Sequence, residues 1–351
     1  MSTLERVPGW DFLRGLCALS VALYHLFFWQ DIAVINTFSS YGVYMFFILS
    51  GASLAYTYLD KFESKQLSIV NFLRARYLRL APLYLLLMLV LLPWKLQKSG
   101  VTTDLVGMYA INAFLLFGFY SPVNNAVLVG GWSLGIEVIF YFLFPLVLWC
   151  LHKRWVALAL FCFALVIQLI WIQSTLGLSG GYGPNVAAYH QVPAFAAYFV
   201  GGCMIGGAKR RAQLGGPVSQ ASGLMCLLAG FGLLVALNTA TQGDEILGWR
   251  GFLLFCLCLV MVYISSKLKA SEGMQKIAAV FGDATYGLYL IHPVLFFGLT
   301  LAVFPRFGIS APQSWPVMLR LCFATAIVFS AVGLALLSEK YFEKPIRRWA
   351  R

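Results

Sequence analysis

Charge is scarce in this chain: only 11% of its 351 residues are charged, and only 13 are acidic. That is too little polar material to cover a water-soluble core of this size, so a soluble globular fold is excluded. Period-two alternation is absent too, which excludes an outer-membrane barrel. No loop is long enough to hold a soluble domain, and the longest polar insertion, Leu59 to Leu78, is a basic segment. The eight cysteines lack metal-site or disulfide-framework spacing and mostly lie in apolar runs, so packing roles are expected and a metal site is not. A signal peptide is not expected at the amino terminus, because the first apolar run carries Asp11 and Arg14 and shows no clear small-residue cleavage site.

What is abundant is hydrophobic sequence, 61% of the chain with a mean hydropathy of +0.82. Apolar runs long enough to span a bilayer fall near 11–30, 39–58, 79–94, 132–151, 155–173, 190–207, 219–238, 249–265, 280–303 and 317–338. The expected fold is therefore an all-α polytopic membrane protein of about ten transmembrane helices, with residues 1–351 as a single integral-membrane domain. A further run, 103–120, is shorter and is interrupted by Gly107 and Asn112.

Charge decides how that run is read. A net charge of +12 would suggest nucleic acid in a soluble protein, but on a membrane protein it reports orientation, and no nucleic-acid partner is expected. With both termini cytoplasmic and 103–120 not crossing, 20 of the 25 basic residues fall inside, leaving Lys95, Lys98, Arg250, Arg306 and Arg320 at or beyond the outer edge. A full crossing at 103–120 would put Lys153, Arg154 and Lys209 to Arg211 outside. The positive-inside rule thus predicts a re-entrant or interfacial segment there. NFLRARYLRLAP, Asn71 to Pro82, reads as an interfacial helix running into the third span. The small residues four apart in GGCMIGG, Gly201 to Gly207, point to close helix packing, and SGGYGP, Ser179 to Pro184, to a flexible turn.

Chemistry concentrates in a few ionisable residues. Arg14 and His25 are eleven residues apart in the first span, which is three turns plus roughly 20°, so they share a face about 16 Å apart along the axis. An imidazole at membrane depth usually faces a bundle interior or wet cavity and marks a functional site. His292, followed by Pro293, lies midway along another span. It either locks helices together or acts in the chemistry. His152 and His190 are expected to be solvated. Glu137 is the one acid well inside a span, and His25 is its natural partner, in the base-plus-orienter arrangement of acyl transfer. The plainer alternative is a carboxylate that ties helices together. On the cytoplasmic side, Arg74, Arg76 and Arg79 cluster with Arg14. Paired guanidinium groups suit phosphate, either of a ligand or of anionic membrane lipid.

Six motifs in order along nearly the whole chain resemble the membrane acyltransferase-3 family of carbohydrate O-acyltransferases. They are Arg14 with His25, FFILSG (Phe46 to Gly51), RYLRLAPLY (Arg76 to Tyr84), WSLGIE (Trp132 to Glu137), YGLYLIHPV (Tyr286 to Val294) and FEKP (Phe342 to Pro345). The resemblance implies a cytoplasmic acyl-CoA donor, usually acetyl-CoA, no tightly bound cofactor, a glycan hydroxyl as acceptor at the outer face, and a place in the bacterial cytoplasmic membrane. It implies His25 as the catalytic residue, with Arg14, Arg76 and Arg79 on the donor side; the burial of Glu137 adds it as the expected catalytic partner of His25. Trp132, Ser133, Tyr286 and His292 stand in two of these motifs and are expected to contact substrate. Two positions depart from the pattern: Val138 stands where many members have a second acid after Glu137, and Ala52 where many have an aromatic. The extracytoplasmic hydrolase-like domain of some members is expected to be missing. His25 could serve as general base or as transient acyl carrier. The rival reading is a transporter or flippase for a lipid-linked glycan with His25, Glu137 and His292 as a proton relay. A non-catalytic assembly subunit would leave the basic cluster unexplained.

Overall fold

The computed structural model describes residues 6–66 and 68–349, so Arg351, one of the inner cations by sequence, lies outside the described residues. It is helical throughout, with no β-strand among the described residues. The order is α1 (Pro8–Trp29), α2 (Asn36–Glu63), α3 (Ile69–Ser99), α4 (Thr103–Ala113), α5 (Pro122–Asn125), α6 (Gly131–Leu151) and α7 (Arg154–Ile172). Then come α8 (Tyr182–Tyr189), α9 (Ala196–Arg210), α10 (Gln220–Ala236), α11 (Gly248–Lys267), α12 (Glu272–Phe297), α13 (Val317–Ser338) and α14 (Lys344–Trp349). Nine of the described helices are long and apolar enough to cross a membrane. A tenth, α10, has 17 residues, the lower limit of the usual spanning length of about 17 to 25. The chain is an all-α polytopic membrane protein.

The run at 103–120 does not form a spanning helix. Its helical part, α4, has 11 residues, hence about 16 Å of rise against a hydrocarbon core of about 30 Å. The chain then turns at Leu115, whose φ of +57° lies in the left-handed region, into a 3-10 turn over Leu116–Phe119. Asn112 holds the bend. Its amide nitrogen donates to the carbonyls of Met108 (2.7 Å) and Asn125 (2.6 Å), while its carbonyl oxygen accepts from Tyr84 OH and from the Val127 amide (3.1 Å). A polar side chain that would be costly in lipid is thus fully bonded inside the turn that follows α4. Gly118 then crosses α6 at Gly135 so closely that a Cβ on Gly118 would strike the Gly135 carbonyl.

The glycines of α9 do what their spacing predicts. A Cβ on Gly202 would collide with the Ile48 carbonyl, and one on Gly206 with that of Ala52, so α9 lies backbone to backbone on α2. At α8, the turn Gly180–Gly181 has φ of +87° and +90° and leads directly into the helix.

Two packing facts place the site. The first span, α1, lies along α12, whereas α6 packs on α2 and α3. At the carboxyl end α13 continues through a π-turn over Glu339–Glu343 into α14, which contacts α3.

Candidate active site

The cavity bounded by α1, α2, α3, α6, α12 and α14 has a volume of about 1040 Å³. Arginines of α1 and α3 lie at its basic end. Above them, Ser133 and Glu137 face it from one side of α6, four residues apart, opposite Tyr286 and Tyr289 of α12. Its upper boundary is a hydroxyl cluster. Ser133 Oγ and Tyr289 OH lie 2.9 Å apart, and each also reaches the Gly130 carbonyl, at 3.0 and 2.9 Å. Gly130 has φ +78°, and a Cβ there would press on the Tyr289 hydroxyl, so only glycine suits the position.

One turn beyond Tyr289 along α12, His25 meets His292. Nδ1 of His25 and Nε2 of His292 are 3.1 Å apart. The other nitrogen of His292, Nδ1, lies 2.8 Å from the Leu288 carbonyl. A carbonyl oxygen only accepts, so Nδ1 of His292 carries the proton and its neutral ring offers a lone pair at Nε2. His25 must therefore donate from Nδ1, which leaves the lone pair of His25 on Nε2. Trp29 stacks on the His25 ring at 4.9 Å and 8°, and Phe296 and Phe297 pack on Trp29. His25 is half-buried and His292 fully buried.

The expected pairing of His25 with Glu137 is not what the structure forms. Among the described residues, Glu137 accepts from Ser50 Oγ (2.8 Å) and Tyr141 OH (2.5 Å), and the hydrogen-bond partner of His25 is His292. The reason is helix adjacency, since α1 runs along α12 while α6 is held against α2. Glu137 belongs to the arginine-lined cavity instead.

The other expected site residues divide. Arg14, Arg76 and Arg79 all line the cavity. Arg14 is already engaged, with Asp11 (3.0 Å), the Leu49 carbonyl (3.0 Å) and Ser53 Oγ, and so ties α1 to α2. Among the described residues, Arg76 reaches only the Tyr58 hydroxyl (3.5 Å) and ring, and its Nε is buried without a partner. Tyr286 lines the cavity and donates to the Leu80 carbonyl (2.5 Å). Trp132 points away from it, on to His190 with ring centroids 4.0 Å apart, and on to Phe47 and Phe195.

His190 is not solvated as expected, but 3% exposed. Its Nδ1 faces the Val186 carbonyl (2.7 Å) and its Nε2 the Tyr182 hydroxyl (3.4 Å), and burial pushes its pKa down to about 4, so it is neutral near pH 7. His152 is exposed, as expected.

Sequence reasoning also misses the groups that fix the end of α1. Arg320 of α13 donates to the carbonyls of Gln30 (2.8 Å) and Asp31 (3.0 Å), and Gln313 to that of Trp29 (2.6 Å). A cation on the last carbonyls of a helix completes its unsatisfied acceptors and complements its dipole. The only sequence signal is a basic residue at the outer edge of a span.

The profile of an acyltransferase domain family, the acyltransferase-3 domain, matches residues 7–337. Among curated proteins, the chain is 27% identical over 377 aligned positions to the peptidoglycan O-acetyltransferase OatA of Listeria monocytogenes, covering 97% of this chain and 56% of that protein. It is 26% identical over 372 positions to the putative peptidoglycan O-acetyltransferase YrhL of Bacillus subtilis, covering 97% and 55%. It is 31% identical over 163 positions to the acyltransferase MdmB of Streptomyces mycarofaciens, covering 40% and 39%. The chain thus spans about half the length of the first two relatives. No solved structure matches it significantly.

Proposed function

The chain belongs to the acyltransferase-3 domain family, and on that premise we propose that it moves an acyl group, acetyl in the first instance, from acyl-CoA to a glycan hydroxyl. The observation that carries this reading is the tautomer of the histidine pair: Nε2 of His292 accepts the hydrogen bond from Nδ1–H of His25, so the lone pair of His25 Nε2 is the one left for reaction. In the direct route Nε2 takes the proton of the sugar hydroxyl as the oxygen attacks the thioester carbonyl. The carbon–sulfur bond breaks, and the leaving thiolate takes that proton back from the imidazolium. In the stepwise route Nε2 itself attacks the thioester and coenzyme A leaves as thiolate; the sugar hydroxyl then displaces the imidazole, and the proton it loses ends on the thiolate. Both routes place positive charge on the ring of His25, which Nε2 of His292 and the face of Trp29 are positioned to stabilise.

The donor enters at the basic end of the cavity, which the distribution of Lys and Arg assigns to the cytoplasmic side. Its thioester then approaches His25 past Ser133 and Tyr289, while Glu137, bonded to Ser50 and Tyr141, shapes the cavity wall below. The O-acetyltransferases among its relatives support acetyl as the group and a cell-wall or other surface glycan as acceptor. The deciding experiment compares glycans by mass spectrometry from cells with the wild-type gene, without it and with His25→Ala. Loss of an acetyl mass in the last two is expected. Unchanged acetylation in the His25→Ala strain would remove the assignment, and His25-dependent export of unmodified glycan would favour a transporter.

A further inference from the structure

The cations at the mouth of the cavity are divided by what they are bonded to. On the α1–α12 flank each has a carboxylate. Arg6 pairs with Asp283 (2.6 Å), Arg14 with Asp11 (3.0 Å), Lys344 with Asp283 (2.9 Å) and Arg347 with Glu339 (2.5 Å). On the α2–α3 flank Lys61, Arg74, Arg76 and Arg79 line the cavity, and Arg348 of α14 lines it as well. None of these five has a carboxylate within ion-pair distance among the described residues. Lys61 Nζ and the Arg76 guanidinium even share the ring of Tyr58, at 5.4 and 5.7 Å from its centroid.

Glu137 and Glu343 line the cavity beyond ion-pair distance of these cations, and the two acids of α2 nearest Lys61 face away from it. Asp60, beside Lys61 in sequence, is held by Arg210 Nε at 2.8 Å, and Glu63 by Arg211 at 2.6 Å. Five cations lining the cavity with no carboxylate at ion-pair distance among the described residues, one of them with a buried guanidinium Nε left unbonded, suit an added anion there. Single phosphates need fewer donors than this. Guanidinium and ammonium groups distributed along α2, α3 and the carboxyl-terminal helix suit several phosphates at once.

We infer that Lys61, Arg74 and Arg348 join Arg76 and Arg79 in a polyphosphate subsite, with Lys61 and Arg348 holding the nucleotide phosphates of the donor from α2 and from α14. The inference rests on the proposed use of an acyl-CoA donor and extends it to residues outside the recognisable arginine motif. The FEKP segment then has a structural part in binding, since Lys344 anchors to Asp283 and so fixes the start of the helix that presents Arg348.

The test uses the full-length protein in nanodiscs of zwitterionic lipid, titrated with coenzyme A, with its 3′-dephospho form and with pantetheine. Wild-type affinity is expected to fall in that order as phosphates are removed. Lys61→Gln and Arg348→Gln should each weaken coenzyme A binding about tenfold, the usual consequence of losing one charge-assisted contact, and leave pantetheine binding unchanged. The same measurements in nanodiscs containing phosphatidylglycerol separate a donor from a lipid headgroup. Variants that lose retention of that lipid but bind coenzyme A like wild type would overturn the inference. Wild-type protein that binds no coenzyme A at all would overturn the donor reading beneath it, whereas normal wild-type binding with unaffected variants would overturn the subsite alone.

Discussion

His292 has no choice of tautomer while Leu288 offers only a carbonyl, and this fixes where the proton of His25 sits. His25→Ala should therefore lower transfer by about 10² to 10⁴ or more, since general-base loss alone has that cost, with donor binding retained. In the proposed mechanism His292 acts through His25, so a conservative change should rescue part of its function. His292→Gln keeps an oxygen acceptor for the Nδ1 proton, and His292→Leu does not. Purified His292→Gln is expected to retain more turnover than His292→Leu at saturating donor, with the same Michaelis constant for acyl-CoA in both. Equal turnover of the two would show that the pair is packing and nothing more. Glu137, bonded away from His25, should behave differently: Glu137→Gln is expected to alter the Michaelis constant for donor more than turnover.

Among the elements, α4 carries the topology of everything after it. Eleven residues cannot cross, and Asn112 commits its amide to the hairpin itself. Single cysteines at Val101 and Ser121, introduced into a cysteine-free background, should be labelled from the same side of the membrane. Labelling from opposite sides would invert the orientation of all later spans. Charge alone makes the short, broken helix at 103–120 legible in the sequence, because a full crossing there would put Lys209 to Arg211 on the wrong side. The Gly202 and Gly206 contact is equally legible, as spacing four apart leaves little but close packing. Gly206→Val should drive its Cβ into the Ala52 carbonyl and lower the unfolding temperature in detergent, since overpacking of this kind costs about 1 to 3 kcal/mol. An unchanged transition would mean that α2 and α9 can separate freely.

At the scale of the molecule, what the sequence cannot show is who neighbours whom. The pattern of apolar runs makes His25, Glu137 and His292 all intramembrane, but nothing local in it says that α1 lies along α12 and not along α6. That adjacency is a property of the closed bundle, which is why the sequence pattern finds the residues themselves but gives the carboxylate the wrong partner. The same closure sets a requirement on the chain: His25 and His292 come from the first and the penultimate spans, 267 residues apart, so the pair exists only when both ends of the protein have packed together. Helices inserted independently can associate afterwards through their packing surfaces. The segment between α9 and α10 is exposed at Gln213 and Gly215 and forms a natural place to divide the chain. Fragments 1–214 and 215–351, coexpressed, are expected to restore acetylation measured on the glycan, whereas neither alone should do so. Introducing His292→Leu into the second fragment should then abolish the rescue without preventing the fragments from co-purifying. Acetylation by the first fragment alone would mean that His25 works without its partner, and the histidine pair would lose its place in the reaction.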